Sequence, residues 1–353
     1  MKIIFIRRRW TATGGAENYL TRLAHACKKR GHSTILVCES WVNSEKTGDS
    51  FDEIVPLSFQ APRFSRPMEF ARHANAFLSD IKRDCVLSLE RGVYADIYRA
   101  GDGVHLAWLQ RRRKFHPLRG FFQNHFNLKN RIVCDLEKKT FTEAGARRIL
   151  ANSNMIKEDI LAHFDYPEEK IEVIHNGVDF EYFSSGNRNE GRKALGIEEK
   201  ELIFLLVGAG AERKGHAYAR RIVKNIRRSM PARLLIVDKP PPCPMPHVYA
   251  AADVFLLPTL YDPFANVTLE AMAAGLPVIT TKDNGAAELI ESGKNGFVAN
   301  SASEVEKMAT YGKAFAHASF RHEIGAAAQT TARAHAFSSH VEQVIQFCEQ
   351  VVM

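Results

Sequence analysis

Two acids stand eight positions apart, Asp262 and Glu270, in Tyr261-Asp262-Pro263-Phe264-Ala265-Asn266-Val267-Thr268-Leu269-Glu270. A carboxylate accepts through both oxygens, so each can hold two hydroxyl protons. Earlier in the chain, Arg213 and Lys214 are adjacent cations in the loop Gly208-Ala209-Gly210-Ala211-Glu212-Arg213-Lys214-Gly215. Cations so placed can neutralise a diphosphate. A diphosphate that leaves gains charge as its bond breaks, so they would also stabilise the transition state. Acids for hydroxyls and cations for phosphate describe a ligand that carries both. The plainer readings are acids placed for a helix dipole and a solvated basic loop.

The elements that position these residues follow from the apolar pattern. Val254–Leu257 and Val278–Thr281 read as buried strands, and Leu202–Val207 as a third. Between the first two, Leu269, Met272 and Ala273 make a helical stripe. Asn266 is the expected N-cap, Gly275 with Pro277 is the stop, and the amides near Ala265, Asn266 and Val267 are a ready anion site. A similar unit opens the chain. Lys2–Ile6 is a strand, Gly14-Gly15 a turn, about 16–30 a helix and 34–38 the next strand. A glycine pair at such a turn either satisfies a positive φ or cradles phosphate. Farther on, about 67–81 reads as a helix and 85–89 as a strand.

Asp102, in Gly101-Asp102-Gly103, lies where a strand meets a turn, at the sheet edge where α/β ligands bind. It either acts there or only stabilises the turn. His105 follows it beside an apolar stretch, where structural histidines are common. From His105 to Cys134 there is no acid, while Arg111, Arg112, Arg113 and Lys114 alternate with aromatics including Phe121 and Phe122. Such a mixture fits an anionic membrane interface, single-stranded nucleic acid, or a buried helix with one basic face.

Composition narrows these choices only in part. A net charge of +8 favours anionic partners without naming one. No apolar run approaches the length of a membrane span, and the first residues read as a strand, not a leader. The six cysteines contain no C-x-x-C pair and read as reduced thiols, with no zinc site expected. There is no D-x-D triplet either, so no metal is expected. A dinucleotide binder would need a full G-x-G-x-x-G with its ribose acid, which is absent, and no RNA-module signature is present.

Asp262-x7-Glu270 resembles the E-x7-E signature of the retaining GT-B glycosyltransferases of family 4. The resemblance continues through Gly275-Leu276-Pro277-Val278, Asn284-Gly285-Ala286-Ala287-Glu288-Leu289-Ile290 and Gly296-Phe297-Val298, and through His175-Asn176-Gly177-Val178-Asp179. It implies two Rossmann-like domains facing across a cleft: residues 1–180 with a returning helix over 338–353 on the acceptor side, and 181–337 on the nucleotide-sugar side. It implies transfer of a hexose from a nucleotide sugar, with UDP-hexose expected, to a saccharide or glycolipid. Arg213 and Lys214 would hold the diphosphate, Glu270 the ribose, and Asp262 with the amides of 265–267 the sugar. Gly14 and Gly15 would face the phosphates, while Asp102 and His105 would lie on the acceptor side, with Asp102 counted among the catalytic candidates. No cofactor and no nucleic acid is expected. Members that build lipopolysaccharide core carry a basic, aromatic membrane segment in the region matching 105–134. That favours the membrane reading there, with the protein cytoplasmic and peripheral at the inner face of the cytoplasmic membrane.

Four departures bear on the donor site. Ala209 stands where the family has Arg, Asp262 where most members have Glu, and Ala265 where Gly is common. The fourth is the stretch 239–248, which holds five prolines and is too short for a parallel crossover. One α-β step must be missing. A five-strand second sheet and a more open base pocket are therefore expected. Residues 184–200 read as a polar linker. The departures also leave open a relative that keeps the fold without donor chemistry.

Overall fold

The computed structural model describes residues 1–10, 15–41, 50–115, 127–198 and 201–352. They divide into two compact units: Met1–Asn152, Ile156–Ile174 and Val341–Met353 form one, and Ser153–Met155 with His175–His340 the other.

The first unit is built on seven strands: β1 (Lys2–Ile6), β2 (Ser33–Cys38), β3 (Glu53–Pro56), β4 (Cys85–Ser88), β5 (Ala95–Arg99), β6 (Ala146–Ala151) and β7 (Ile171–Val173). All pair parallel, in the order β3-β2-β1-β4-β5-β6-β7. Ile3 to Ile6 and Cys85 to Leu87 are wholly buried. A parallel sheet is covered on both faces, which is why these strands read as unbroken apolar runs. The helices are α1 (Gly15–Lys29), α2 (Arg66–Asp80), α3 (His105–Phe115), α4 (Leu128–Thr140) and α5 (Asn154–His163). Gly14, Phe121 and Phe122 lie outside the described residues.

The second unit begins with two short helices, α6 (Phe180–Ser184) and α7 (Arg188–Leu195). Its strands are β8 (Leu202–Val207), β9 (Ala232–Val237), β10 (Val254–Leu257), β11 (Val278–Thr281) and β12 (Gly296–Ala299), parallel in the order β9-β8-β10-β11-β12. The sheet has the five strands expected from the shortened proline segment. Helix α8 (His216–Ile226) follows β8, α9 (Met245–Ala251) follows β9, and α10 (Asn266–Ala273) follows β10. Pro244 caps α9 and Pro246 sits in its first turn, where a missing N–H breaks no helical bond. The chain ends with α11 (Val305–Ala314), α12 (Ala318–Ala334) and α13 (Phe337–Val352), the last grouping with the first unit from Val341 on.

Within the stretch 184–200, the described residues 184–198 are packed against the unit. Helix α7 lies on α9, and Gly186 and Gly191 allow it: a Cβ on either would stand 2.1 Å from the carbonyl oxygen of Pro246 or His247. The buried Arg192 anchors the pair by donating to Ala251 O (3.1 Å) and to Asp253 (2.9 Å). These glycines mark close approach, which composition alone reads as flexibility.

Candidate active site

In the second unit the loops after β8, β10 and β11 leave the same carboxyl edge of one parallel sheet, the edge where α/β proteins bind ligands. Lys214 follows β8. Its carbonyl neighbour is fixed from β10: Leu260 N–H and Thr259 Oγ1 donate to Arg213 O at 2.9 and 2.7 Å. Gly215 then turns the chain into α8 with φ at +73°, and a Cβ there would stand 1.8 Å from Pro258 O. Only glycine fits at 215, so the glycine of the Lys-Gly pair is a geometric requirement.

Asp262 follows β10 and is stitched to the end of β11. Its N–H donates to Asp283 O at 2.7 Å, and its carbonyl accepts from Gly285 N–H at 2.9 Å. Lys214 Nζ donates to Asp262 Oδ2 at 2.7 Å, and an Arg213 guanidinium nitrogen stands 3.7 Å from the same oxygen. Lys214 and Asp262 are both buried. The sequence reading gave them separate ligand groups, whereas the structure pairs them. A buried pair of this kind is a charge-balanced resting arrangement, because either ion alone would be costly. A diphosphate would compete with Asp262 for Lys214, and sugar hydroxyls would take the released carboxylate oxygen.

Helix α10 starts one residue earlier than expected. Asn266 is its first residue, Ala265 occupies the cap, and no side chain caps the helix. The physical reason is Asn284, which holds the entry instead. Its Oδ1 accepts from Ala265 and Ala286 N–H, both at 3.1 Å. Its Nδ2 donates to Thr268 Oγ1 (3.0 Å) and Thr280 Oγ1 (3.1 Å). All the capacity of one buried amide is spent on the turn that presents the amides of Asn266 and Val267. Asn266 itself accepts from Asn176 Nδ2 at 2.8 Å.

Glu270 lies one turn into α10, half-buried. Tyr249, fully buried on α9, donates its hydroxyl to Glu270 Oε2 at 2.6 Å. Burial pushes the Glu270 carboxyl above the usual range, while the Tyr249 hydroxyl and the Lys214 charge pull it back. Lys214 is thus in electrostatic reach of both acids. Tyr249 and Asn284 carried no role in the sequence reading. The motif Asn284-Gly285 was quoted as part of the resemblance, and a buried polar residue inside it was the available signal. Tyr249 offered none.

Glu288 is a second acid held by several hydrogen bonds in this unit. It accepts from His175 Nε2 (2.7 Å), Met155 N–H (2.8 Å) and Asn154 N–H (2.9 Å). Burial pushes its carboxyl up, but these hydrogen bonds outweigh that and leave it below the usual range.

The first-unit candidates gather at the carboxyl edge of their own sheet. Asp102 is exposed after β5, in electrostatic reach of Arg7, Glu90 and Arg91. His105 opens α3. Glu137, from α4 and fully buried, accepts from His105 N–H (2.5 Å) and Leu106 N–H (3.2 Å) and pairs with Arg91 at 3.0 Å. The His105 ring contacts Asn130 at 3.2 Å. Burial, followed by the Arg91 charge, holds its pKa down at about 4. Gly15 is the first residue of α1. Of the basic run, Arg111 is turned to Asp159 at 3.0 Å, a correction to its reading as outward surface: an acid 48 positions on supplies the partner that the local sequence lacks. Arg112 lies 6.0 Å from the Trp108 ring, and Arg113 and Lys114 are exposed. Among the described residues no group of three His, Cys, Asp or Glu could hold a metal, and no helix is long and apolar enough to cross a membrane.

Two known families match this chain in sequence. The one described as Glycosyltransferase Family 4 matches residues 13–182, and Glycosyl transferases group 1 matches 196–313. The chain belongs to the family 4 glycosyltransferases of the GT-B fold. An uncharacterized glycosyltransferase of Methanocaldococcus jannaschii is 29% identical over 178 residues, 42% of this chain and 46% of the relative. Here and in other relatives of this kind, the match spans about half the length of the curated protein. The lipopolysaccharide glucosyltransferase WaaG of Escherichia coli is 23% identical over 330 residues, 84% of this chain and 85% of WaaG. Among solved structures, WaaG superposes with a TM-score of 0.79 at 20% identity, covering 98% of this chain and 99% of that one. Anabaena HepE, solved with UDP and glucose, gives 0.68 at 18% identity, covering 99% of each chain. These likenesses show the fold.

Proposed function

We propose that this protein is a retaining glycosyltransferase that moves a hexose, most simply glucose, from a UDP-sugar to a saccharide or glycolipid of the bacterial cell envelope. One observation carries the reading: Lys214, Asp262, Glu270 and a helix start without a side-chain cap share one sheet edge. Arg213 and Lys214 bind the diphosphate and stabilise its charge as the glycosidic bond breaks. The amides of Asn266 and Val267 support the same anion. Asp262, released from Lys214, accepts from the sugar hydroxyls. Glu270, held by Tyr249, accepts from the ribose. No carboxylate is needed as a covalent nucleophile. The attacking hydroxyl approaches on the face the diphosphate leaves and passes its proton to a departing phosphate oxygen. Asp102 and His105 belong to the acceptor side, with Asp102 also a catalytic candidate. No metal or cofactor enters the scheme. The acid-free run from His105 to Cys134, with Arg113 and Lys114 exposed, supports a peripheral position at the inner face of the cytoplasmic membrane. WaaG's name and HepE's bound UDP and glucose support the donor and pathway.

A panel of nucleotide sugars, read by released diphosphate and transferred label, tests this. Release from a UDP-hexose is the expected result. Binding of nucleoside diphosphates with no release from any donor would make the chain a non-catalytic relative. The shortened sheet is read as an open base pocket, so titration should show weak preference among bases.

A further inference from the structure

A cavity of about 450 Å³ lies at the carboxyl edge of the first sheet. Its walls come from three adjacent strand ends, in the order β3-β2-β1. Leu57, Ser58 and Phe59 follow β3, Glu39 follows β2, and Arg9 follows β1. Arg66, the first residue of α2, completes the lining. Backbone pairing holds these ends together beyond the sheet itself. Arg9–Trp10 pairs with Ser40–Trp41, and Leu57 N–H donates to Cys38 O at 2.7 Å. Phe59 is half-buried, and its ring stacks on His73 with centroids 5.0 Å apart. The cavity thus has an apolar wall, Leu57 with Phe59, and a polar wall of two arginines, a carboxylate and a serine. A sugar uses both kinds of wall. Its C–H faces pack on apolar groups, and its hydroxyls donate to a carboxylate and accept from guanidinium N–H.

The charges add a preference. Glu39, the one acid in the lining, is shared between Arg8 at 3.1 Å and Arg66 at 3.3 Å. Acids nearby in the fold are engaged as well. Glu17 and Glu90 pair with Arg7 at 3.3 and 3.2 Å, and Glu69 of α2 pairs with Arg72 at 2.9 Å. Arg9 is exposed and makes no ion pair or hydrogen bond among the described residues. The cavity therefore carries a surplus cation in a planar fork, the geometry that suits a phosphate or carboxylate.

We propose that this cavity binds an anionic saccharide unit of the acceptor, with Arg9 and Arg66 on its phosphate or carboxylate and Phe59 against its ring. The inference rests on the acceptor-side reading of the first unit and deepens it: the acceptor is a charged oligosaccharide. Strand β5, which leads to Asp102, stands two strand positions from β1, about 10 Å away. A unit seated over β1 to β3 is therefore not the one beside Asp102. It is a separate unit of the same acceptor, and its recognition sets which acceptor is used.

The test is a ligand-observed NMR titration of the full chain with glucose, glucose 6-phosphate and glucuronic acid. The wild type should bind at least one charged sugar about ten-fold more tightly than glucose, the effect of one charge-assisted contact. Preference for the phosphate identifies a phosphorylated unit, and preference for the carboxylate a sugar acid. Arg9→Gln should remove the preference and leave glucose binding and the melting temperature unchanged, since the side chain is exposed. Phe59→Leu should weaken all three sugars alike. Lys214→Ala, on the second unit, should bind them as the wild type does. Equal affinity for the three sugars overturns the proposal. So does a preference that survives both Arg9→Gln and Arg66→Gln, and so does inorganic phosphate binding as tightly as glucose 6-phosphate, which would leave an anion site without sugar recognition. Diphosphate release from UDP-glucose without acceptor is followed in parallel. Its absence in the wild type would defeat the enzymatic reading, while the titration would still decide the cavity.

Discussion

Two helices of this protein begin in the same kind of place and end up with opposite roles. Helix α3 follows β5, α10 follows β10, and each starts at the carboxyl edge of a parallel sheet. At α3, the buried Glu137 takes the amides of His105 and Leu106, with Arg91 as its counter-ion. At α10, no side chain caps the start. Asn284 braces the turn through Ala265 and leaves the first amides directed outward. A helix start is a general anion site only until the protein supplies its own anion. By that criterion the start of α10 remains open to an anion and that of α3 does not.

The contrast is broken most directly at Lys214. Lys214→Ala should lower transfer about a thousand-fold, from lost charge stabilisation of the leaving group. It should leave the melting temperature nearly unchanged only if Asp262 gains water or a proton. Wild-type turnover in this variant would end the assignment. Glu137→Ala should act the other way. Removing one partner of a buried pair leaves Arg91 and two amides unsatisfied, for a loss of about 3 kcal/mol in urea unfolding. Donor binding by surviving folded protein should be unaffected. Comparable loss of donor affinity would erase the distinction between the two helices. Asn284→Ala removes four hydrogen bonds around α10 and should cost about 2 kcal/mol of stability, together with donor affinity. Asn284→Asp should restore the acceptor half alone.

The smallest effect is expected at Tyr249. Tyr249→Phe should raise the donor KM about five-fold, near the value of one neutral hydrogen bond, with little change in kcat. The discrimination between ribose and 2′-deoxyribose donors should also shrink, which a purely structural defect would not produce. Burial already raises the Glu270 pKa and the hydroxyl opposes it, so the variant should raise it further. If Glu270 accepts from ribose as proposed, it must be ionised, so the acid-side rise in KM should begin at higher pH in the variant. A pH profile identical to the wild type would remove Tyr249 from the site. His105 offers a matching check on the other unit. Its pKa is held at about 4, so the unfolded state takes up a proton first on acidification. Stability should therefore fall as the pH drops from about 6.5 toward 4, and His105→Gln should flatten that slope.

Much of this was visible in the order of residues. Leu202–Val207, Val254–Leu257 and Val278–Thr281 are strands with the bounds the apolar runs imply, because a doubly covered sheet leaves no room for alternation. The five strands of the second sheet were expected from the prolines between Lys239 and His247, but the stretch is not too short for a parallel crossover: the short helix α9, entered through Pro244 and Pro246, makes one. The acids and cations that share this sheet edge were legible by type and spacing. Their pairing was not, since Lys214 meets Asp262 across two strand ends. Tyr249, Glu137 and Asp159 were illegible for the same reason: each acts on a residue far away in sequence, and nothing local marks it. Gly186 and Gly191 were misread because the same residue type permits both a flexible chain and two backbones in contact.

That contact reaches farther than its own helices. Tyr249 sits on α9, between Phe183 at a ring distance of 5.7 Å and the Glu270 carboxylate. Helix α9 is in turn clamped from outside by α7 through Gly191. A methyl group added at Gly191 would push the clamp outward and loosen the aromatic strut beneath the Glu270 carboxylate. On the proposed reading, donor affinity would be tied to this surface helix, and natural variation there would retune it while every charged residue stayed in place.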